Sequence, residues 1–117
     1  LSKNPENVAR YVADPLCGYP FTAGGYRDLF RGLKHLYPKN LATMDKSVPV
    51  RLFSGADDPV GACGEGVKTT VRELSEAGVQ DVTYHLYEGG RHEMLNELQR
   101  EQVWSDLIAW MEQRLPR

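Results

Sequence analysis

The chain has 117 residues, enough for one small domain and too few for two with full cores. Fourteen Lys and Arg against sixteen Asp and Glu leave a formal charge of −2, so there is no basic footprint for DNA or RNA and no pull towards an anionic membrane surface. Hydrophobic residues at 41% and charged residues at 26% describe a globular chain, and no apolar run approaches the roughly 20 residues that span a bilayer.

Cys17 and Cys63 stand 46 positions apart with no close Cys or His companion, which is neither a disulfide framework nor a zinc spacing. They read as reduced thiols in a protein of cytoplasmic type. The chain opens on Leu1, without an initiator Met or a signal-peptide pattern. That opening fits a processed, cleaved or excised piece, with any targeting segment on the part upstream.

In chain order, Asn4-Pro5 reads as a cap followed by proline at the first helical position, with Val8, Tyr11 and Val12 on one apolar face. Asp14-Pro15 ends that helix, and residues 16–21 form an apolar loop. A second helix starts near Thr22; Tyr26, Leu29, Phe30, Leu33 and Tyr37 follow its period and Pro38 stops it. Val48 to Phe53 is a short strand, and residues 54–66 form a long turn rich in glycine. A helix from Gly66 to Ala77 should bury Val67, Val71 and Leu74, with Gly78 as its left-handed cap. Val82 to Tyr87 is a second strand, and a final helix from Leu98 to Leu115 should turn Val103, Leu107, Met111 and Leu115 inward.

Strand–helix–strand–helix is the pattern of a parallel α/β sheet. Such a sheet needs both faces covered, and one strand pair is too little to be stable alone. Arg51, Thr83 and His85 among the strand residues suit positions towards the edge of a larger sheet. The reading that follows is the C-terminal part of a larger α/β protein, against the alternative of a small self-sufficient α+β domain.

Active groups of open α/β sheets lie beyond the carboxyl ends of the strands. The first strand is followed there by Ser54-Gly55-Ala56-Asp57-Asp58-Pro59-Val60, the second by Glu88-Gly89-Gly90-Arg91-His92-Glu93. A carboxylate and a histidine at neighbouring strand ends can meet, although 34 positions separate Asp58 from His92. The carboxylate then holds the imidazole tautomer and stabilises imidazolium.

Gly-x-x-Asp-Pro-Val after one strand and Gly-x-x-His after the next resemble the acid and histidine segments of the α/β-hydrolase fold, whose chain order is Ser, acid, His. Residues 14–18, the helix from Tyr26 to Tyr37 and residues 87–97 are similar to the branch holding monoacylglycerol lipases, lysophospholipases and serine aminopeptidases. The resemblance covers essentially the whole chain. It implies that residues 1–20 end a helical cap and residues 21–117 form the C-terminal part of the core, with the last two strands and their flanking helices. It implies Asp58 as the triad acid, with Asp57 as the rival, and His92 as the general base. It also puts Tyr19, Phe21 and Tyr26 where the cap closes over the site, suited to an acyl chain, although cap-to-core packing explains the same residues.

The nucleophile elbow Gly-x-Ser-x-Gly and the oxyanion loop are absent from these residues. None of Ser2, Ser47, Ser54, Ser75 and Ser105 has glycines at that spacing; Gly61-Ala62-Cys63-Gly64-Glu65 comes near with a thiol, but Glu65 replaces the second glycine and the segment follows the acid turn. Cys63 therefore reads as loop packing. His92-Glu93-Met94-Leu95-Asn96 opens like a zinc-protease helix, but Asn96 stands where the second ligand belongs. Gly61, Gly64 and Gly66 lack the spacing of a nucleotide loop, and His35 and His85 read as surface or satisfied residues.

The expected activity is ester hydrolysis of monoacylglycerol or lysophospholipid type through an acyl-enzyme, with no metal or organic cofactor. The serine and oxyanion hole would come from an N-terminal part outside this chain, which would be inert by itself. The partner is a small ester substrate, with no nucleic acid and no integral membrane segment. Other acyl-transfer or amide-cleaving chemistry on the same triad, a catalytically dead relative that binds through the same cleft, and a stand-alone interaction module are the alternatives.

Overall fold

A computed structural model describes residues 1–35 and 38–115. Helix α1 (Pro5–Ala13) starts where Asn4 accepts the Glu6 N–H at 3.1 Å and Pro5 occupies a position whose N–H has no helical partner anyway. It stops at Asp14, which is extended ahead of Pro15. Helix α2 (Ala23–His35) follows. Tyr37, expected on its apolar face, lies outside the described residues. Pro38 opens a 3-10 helix, Pro38–Thr43, that no periodicity in the sequence marks.

Strand β1 (Val50–Gly55) begins and ends two residues later than expected. Pro49 has no N–H, so the pairing starts with Val50, whose N–H donates to Asp81 O at 2.8 Å. At the far end Gly55 stays in line because its N–H reaches Arg91 O at 3.1 Å. Strand β2 (Val82–Tyr87) runs parallel to β1, with Val50 opposite Val82 and Gly55 opposite Tyr87. Between them, helix α3 (Glu65–Glu76) makes the crossover. Gly78 ends it at φ +91°; the Gly78 N–H donates to Ser75 O and the Val79 N–H to Leu74 O, both at 3.0 Å, and Leu74 and Val79 are both buried.

Helix α4 (Arg100–Glu112) is shorter at both ends than its sequence pattern. Tyr87, Met94 and Val103 form the core, with Phe53 and Leu107 packed against it. Met111 and Leu115, expected inward, are instead 45% and 65% exposed. Val67 and Val71 are half-buried where burial was expected, and only Leu74 of that face is buried. Val8, Tyr11 and Val12 on α1 and Tyr26, Leu29, Phe30 and Leu33 on α2 are exposed. The physical reason is common to all of these: two strands offer little apolar surface, and Met94, Val103 and Leu107, packed with Tyr87 and Phe53 of the strands, take it. No helix among the described residues is long and apolar enough to cross a membrane.

Candidate active site

The register of the strand pair puts the loop after Gly55 beside the loop after Tyr87. Backbone bonds then stitch the two loops together. The Gly55 N–H donates to Arg91 O at 3.1 Å, the Ala56 N–H to Tyr87 O at 2.8 Å and the Asp57 N–H to Gly90 O at 3.0 Å. This seam needs glycine at position 55: an added Cβ would stand 2.0 Å from the Gly90 carbonyl carbon and 2.4 Å from the Arg91 nitrogen.

Asp58 and His92 meet across the seam, with Asp58 Oδ2 and His92 Nδ1 3.0 Å apart. The Asp58 side chain is 5% exposed and that of His92 46%. Asp58 Oδ1 accepts the Val60 N–H at 2.9 Å, and the Ser54 hydroxyl lies 3.4 Å from Oδ2. Burial pushes the Asp58 carboxyl up, but the His92 ring and the N–H groups of Val60 and Gly61 together outweigh it, and the net direction is down. An ionised Asp58 makes Nδ1 the protonated nitrogen, which leaves Nε2 as the ring's basic site.

Asp57, the rival carboxylate, takes the Lys3 ammonium at 2.5 Å and is exposed. Lys3 holds its carboxyl below the usual carboxylate range. Of the two neighbours, therefore, Asp58 is the one at the imidazole. Tyr19, Phe21 and Tyr26 are 64%, 51% and 44% exposed. Phe21 and Tyr26 meet ring to ring at 5.4 Å between centroids. None of the three lines the cavity of about 140 Å³ beside the histidine loop, whose walls are Leu1, Ser2, Asn7, Val8, Tyr11 and Glu93.

Among the described residues, no serine hydroxyl hydrogen-bonds the imidazole; Ser54 approaches Asp58, and Ser2 accepts the Asn4 N–H. Cys63, expected to pack in its loop, is exposed, with a left-handed φ of +52° and its N–H on Asp58 O at 2.8 Å. Of the groups that could have cradled a phosphate, the Gly66 N–H donates to Gly61 O and the Lys68 ammonium pairs with Glu65.

The sequence patterns pass over Glu97. Its carboxylate is fully buried and accepts the Lys3 N–H at 2.9 and 3.0 Å and the Arg91 N–H at 3.2 Å. Leu1 adds its carbonyl, which accepts the N–H groups of His92 at 2.9 Å and Glu93 at 3.3 Å. The histidine loop is thus tied on one side to β1 and on the other to residues 1–3.

Residues 1–99 match the family described as serine aminopeptidase, S33. A monoacylglycerol lipase of Mycolicibacterium smegmatis is 28% identical over 111 residues, which are 95% of this chain and 38% of that protein. The crystal structure of a monoacylglycerol lipase from Paleococcus ferrophilus superposes with a TM-score of 0.75 at 26% identity, covering 94% of this chain and 40% of the other. A highly thermostable carboxyl esterase from Bacillus coagulans, solved with glycerol, gives 0.79 at 26% identity over 93% and 36%. The chain spans about two-fifths of the length of these relatives. With an acid and a histidine loop at adjacent parallel strand ends and a family match over most of its length, the chain belongs to the serine aminopeptidase S33 family of α/β-hydrolases.

Proposed function

We propose that this chain supplies the acid and the general base of a serine hydrolase that cleaves carboxylic esters of the monoacylglycerol or lysophospholipid class. The observation that carries the reading is the 3.0 Å contact between Asp58 Oδ2 and His92 Nδ1 at neighbouring strand ends. The nucleophilic serine and the oxyanion hole belong to the part of the fold that relatives have and this chain does not span. The apolar faces of α2 and α4 left exposed here, with Phe30 and Ile108 among their residues, are surfaces that such a part would cover.

In the completed enzyme His92 Nε2 takes the proton of the serine hydroxyl as its oxygen attacks the ester carbonyl carbon. Asp58 keeps the Nδ1–H in place and stabilises the imidazolium that forms. Collapse of the tetrahedral intermediate expels the alcohol, which leaves with the proton from Nε2. Water then attacks the acyl-enzyme with His92 as base again, and the fatty acid and free serine result. Residues 1–20 are the end of a cap and residues 21–117 the core part. Tyr19, Phe21 and Tyr26 face the acyl chain, an assignment supported by the ring cluster of Phe21 and Tyr26 and by their exposure in this chain alone. No cofactor takes part, and a cytoplasmic setting fits the free thiols of Cys17 and Cys63.

The test is His92→Ala in the full-length hydrolase, with the fold checked by circular dichroism. Turnover of a short acyl ester should fall by about three orders of magnitude or more. A loss below tenfold removes His92 from the chemistry.

A further inference from the structure

Glu97 lies five residues beyond His92 in the same connection between β2 and α4, and it is the fully buried carboxylate of this region. Its oxygens are committed to backbone: the Lys3 N–H reaches both, and the Arg91 N–H reaches one. Burying a carboxylate is tolerated where N–H groups point at it, and the Lys3 and Arg91 N–H groups, at 2.9–3.2 Å, make such a cradle.

The residues held are informative. Arg91 immediately precedes His92, and its own carbonyl takes the Gly55 N–H. Lys3 follows the segment whose Leu1 carbonyl accepts the His92 N–H, and its ammonium pairs with Asp57 beside Asp58. One carboxylate therefore cross-links the residue before the imidazole, the strap that holds the imidazole's own backbone, and, through Lys3, the acid loop. Asn4 adds a parallel tie, donating from Nδ2 to Asn96 O at 2.8 Å next to Glu97.

We infer that Glu97 is a positioning residue for the His92–Asp58 pair: its carboxylate sets the backbone of the histidine loop so that Nδ1 meets Oδ2. The inference rests on the hydrolase reading above, in which His92 does the proton transfer. In Glu97→Gln the amide oxygen can take the Oε1 place shared by the Arg91 and Lys3 N–H groups, but the NH2 group then faces the Lys3 N–H, which stands 3.0 Å from Oε2, so donor opposes donor there. The histidine loop then loosens on its Lys3 side. Rate depends steeply on such placement, with roughly 10²-fold lost per Å.

The experiment is Glu97→Gln in the full-length hydrolase, beside His92→Ala, with a short p-nitrophenyl ester as substrate at a temperature well below unfolding. The expected result is kcat at least fivefold lower with KM within twofold, together with loss or broadening of the downfield proton resonance of His92 Nδ1–H in the NMR spectrum. A residue that serves only the fold would lower the melting temperature and leave kcat and that resonance in place; a folded variant keeping more than a fifth of wild-type kcat overturns the inference. Should Glu97→Gln not fold, Glu97→Asp replaces it under the same threshold, and failure of both to fold assigns Glu97 to the fold and overturns the inference as well. If His92→Ala keeps its activity, the hydrolase reading fails instead, whatever Glu97→Gln does.

Discussion

Gly55→Ala tests whether the seam between the two loops holds the site together. The added Cβ would lie 2.0 Å from the Gly90 carbonyl carbon, 2.1 Å from its oxygen and 2.4 Å from the Arg91 nitrogen. Ordinary contact begins near 3.4 Å, so the two backbones must part by about 1.4 Å. All three obstacles are main-chain atoms, and no rotamer change relieves them. That parting acts one residue from His92 and three from Asp58, through the bonds from Gly55 N–H to Arg91 O and from Asp57 N–H to Gly90 O. A displacement of about 1 Å costs about 10²-fold in rate, and overpacking of this kind costs about 1–3 kcal/mol of stability. Steady-state kinetics of the full-length hydrolase on a p-nitrophenyl ester, with thermal melts alongside, should show kcat about 100-fold lower and a reduced melting temperature. A folded Ala variant with kcat within threefold of wild type would refute the reasoning, because the seam would then not control the pair.

Two more predictions concern the proposed acyl face and the core. Phe21→Ala should lower kcat/KM for long-chain esters about tenfold more than for short-chain ones, the order expected from uncovering an aromatic side chain; equal losses remove the acyl-pocket assignment. Tyr87 donates its hydroxyl to Asp106 Oδ2 at 2.9 Å, and burial, with Asp106 adding to it, pushes the phenol up to about 12. Because the folded value lies above the ordinary value of about 10, the stability it contributes is present below pH 10 and lost as pH rises towards 12. Denaturant midpoints of the full-length protein should fall across that window, and less so in Tyr87→Phe; parallel profiles would show that Tyr87 does not titrate with unfolding.

Element order was legible because helical apolar spacing gives way to short strands read from Val48 and Val82, with a helix from Gly66 between them, and Gly78 and Asn4 mark ends by backbone chemistry. Strand β1 slipped by two residues because hydrophobicity points to Val48, whereas pairing depends on N–H groups and Pro49 has none. The inward assignment of Met111 and Leu115 failed for another reason. Periodicity identifies an apolar face but not the surface that covers it, and a two-strand sheet covers only part. At the site, the types of residue and their strand-end positions were legible. Which of two adjacent aspartates turns to the ring was not fixed by spacing; it follows from Lys3, 54 positions upstream, which takes Asp57, and from the Val60 N–H on Asp58. Glu97 was legible only as the last residue of the family-like segment 87–97 and not as a site residue, since its donors are backbone N–H groups, one of them 94 positions away.

The central claim, that Asp58 is the carboxylate that works with His92, is tested most directly by kcat of Asp58→Asn and Asp57→Asn measured side by side in the full-length hydrolase. Asp58→Asn should lower kcat by about 10³-fold or more, since an amide favours the wrong imidazole tautomer, while Asp57→Asn, which loses only an exposed ion pair, should stay within threefold. Equal effects, or the larger loss at Asp57, would contradict the account.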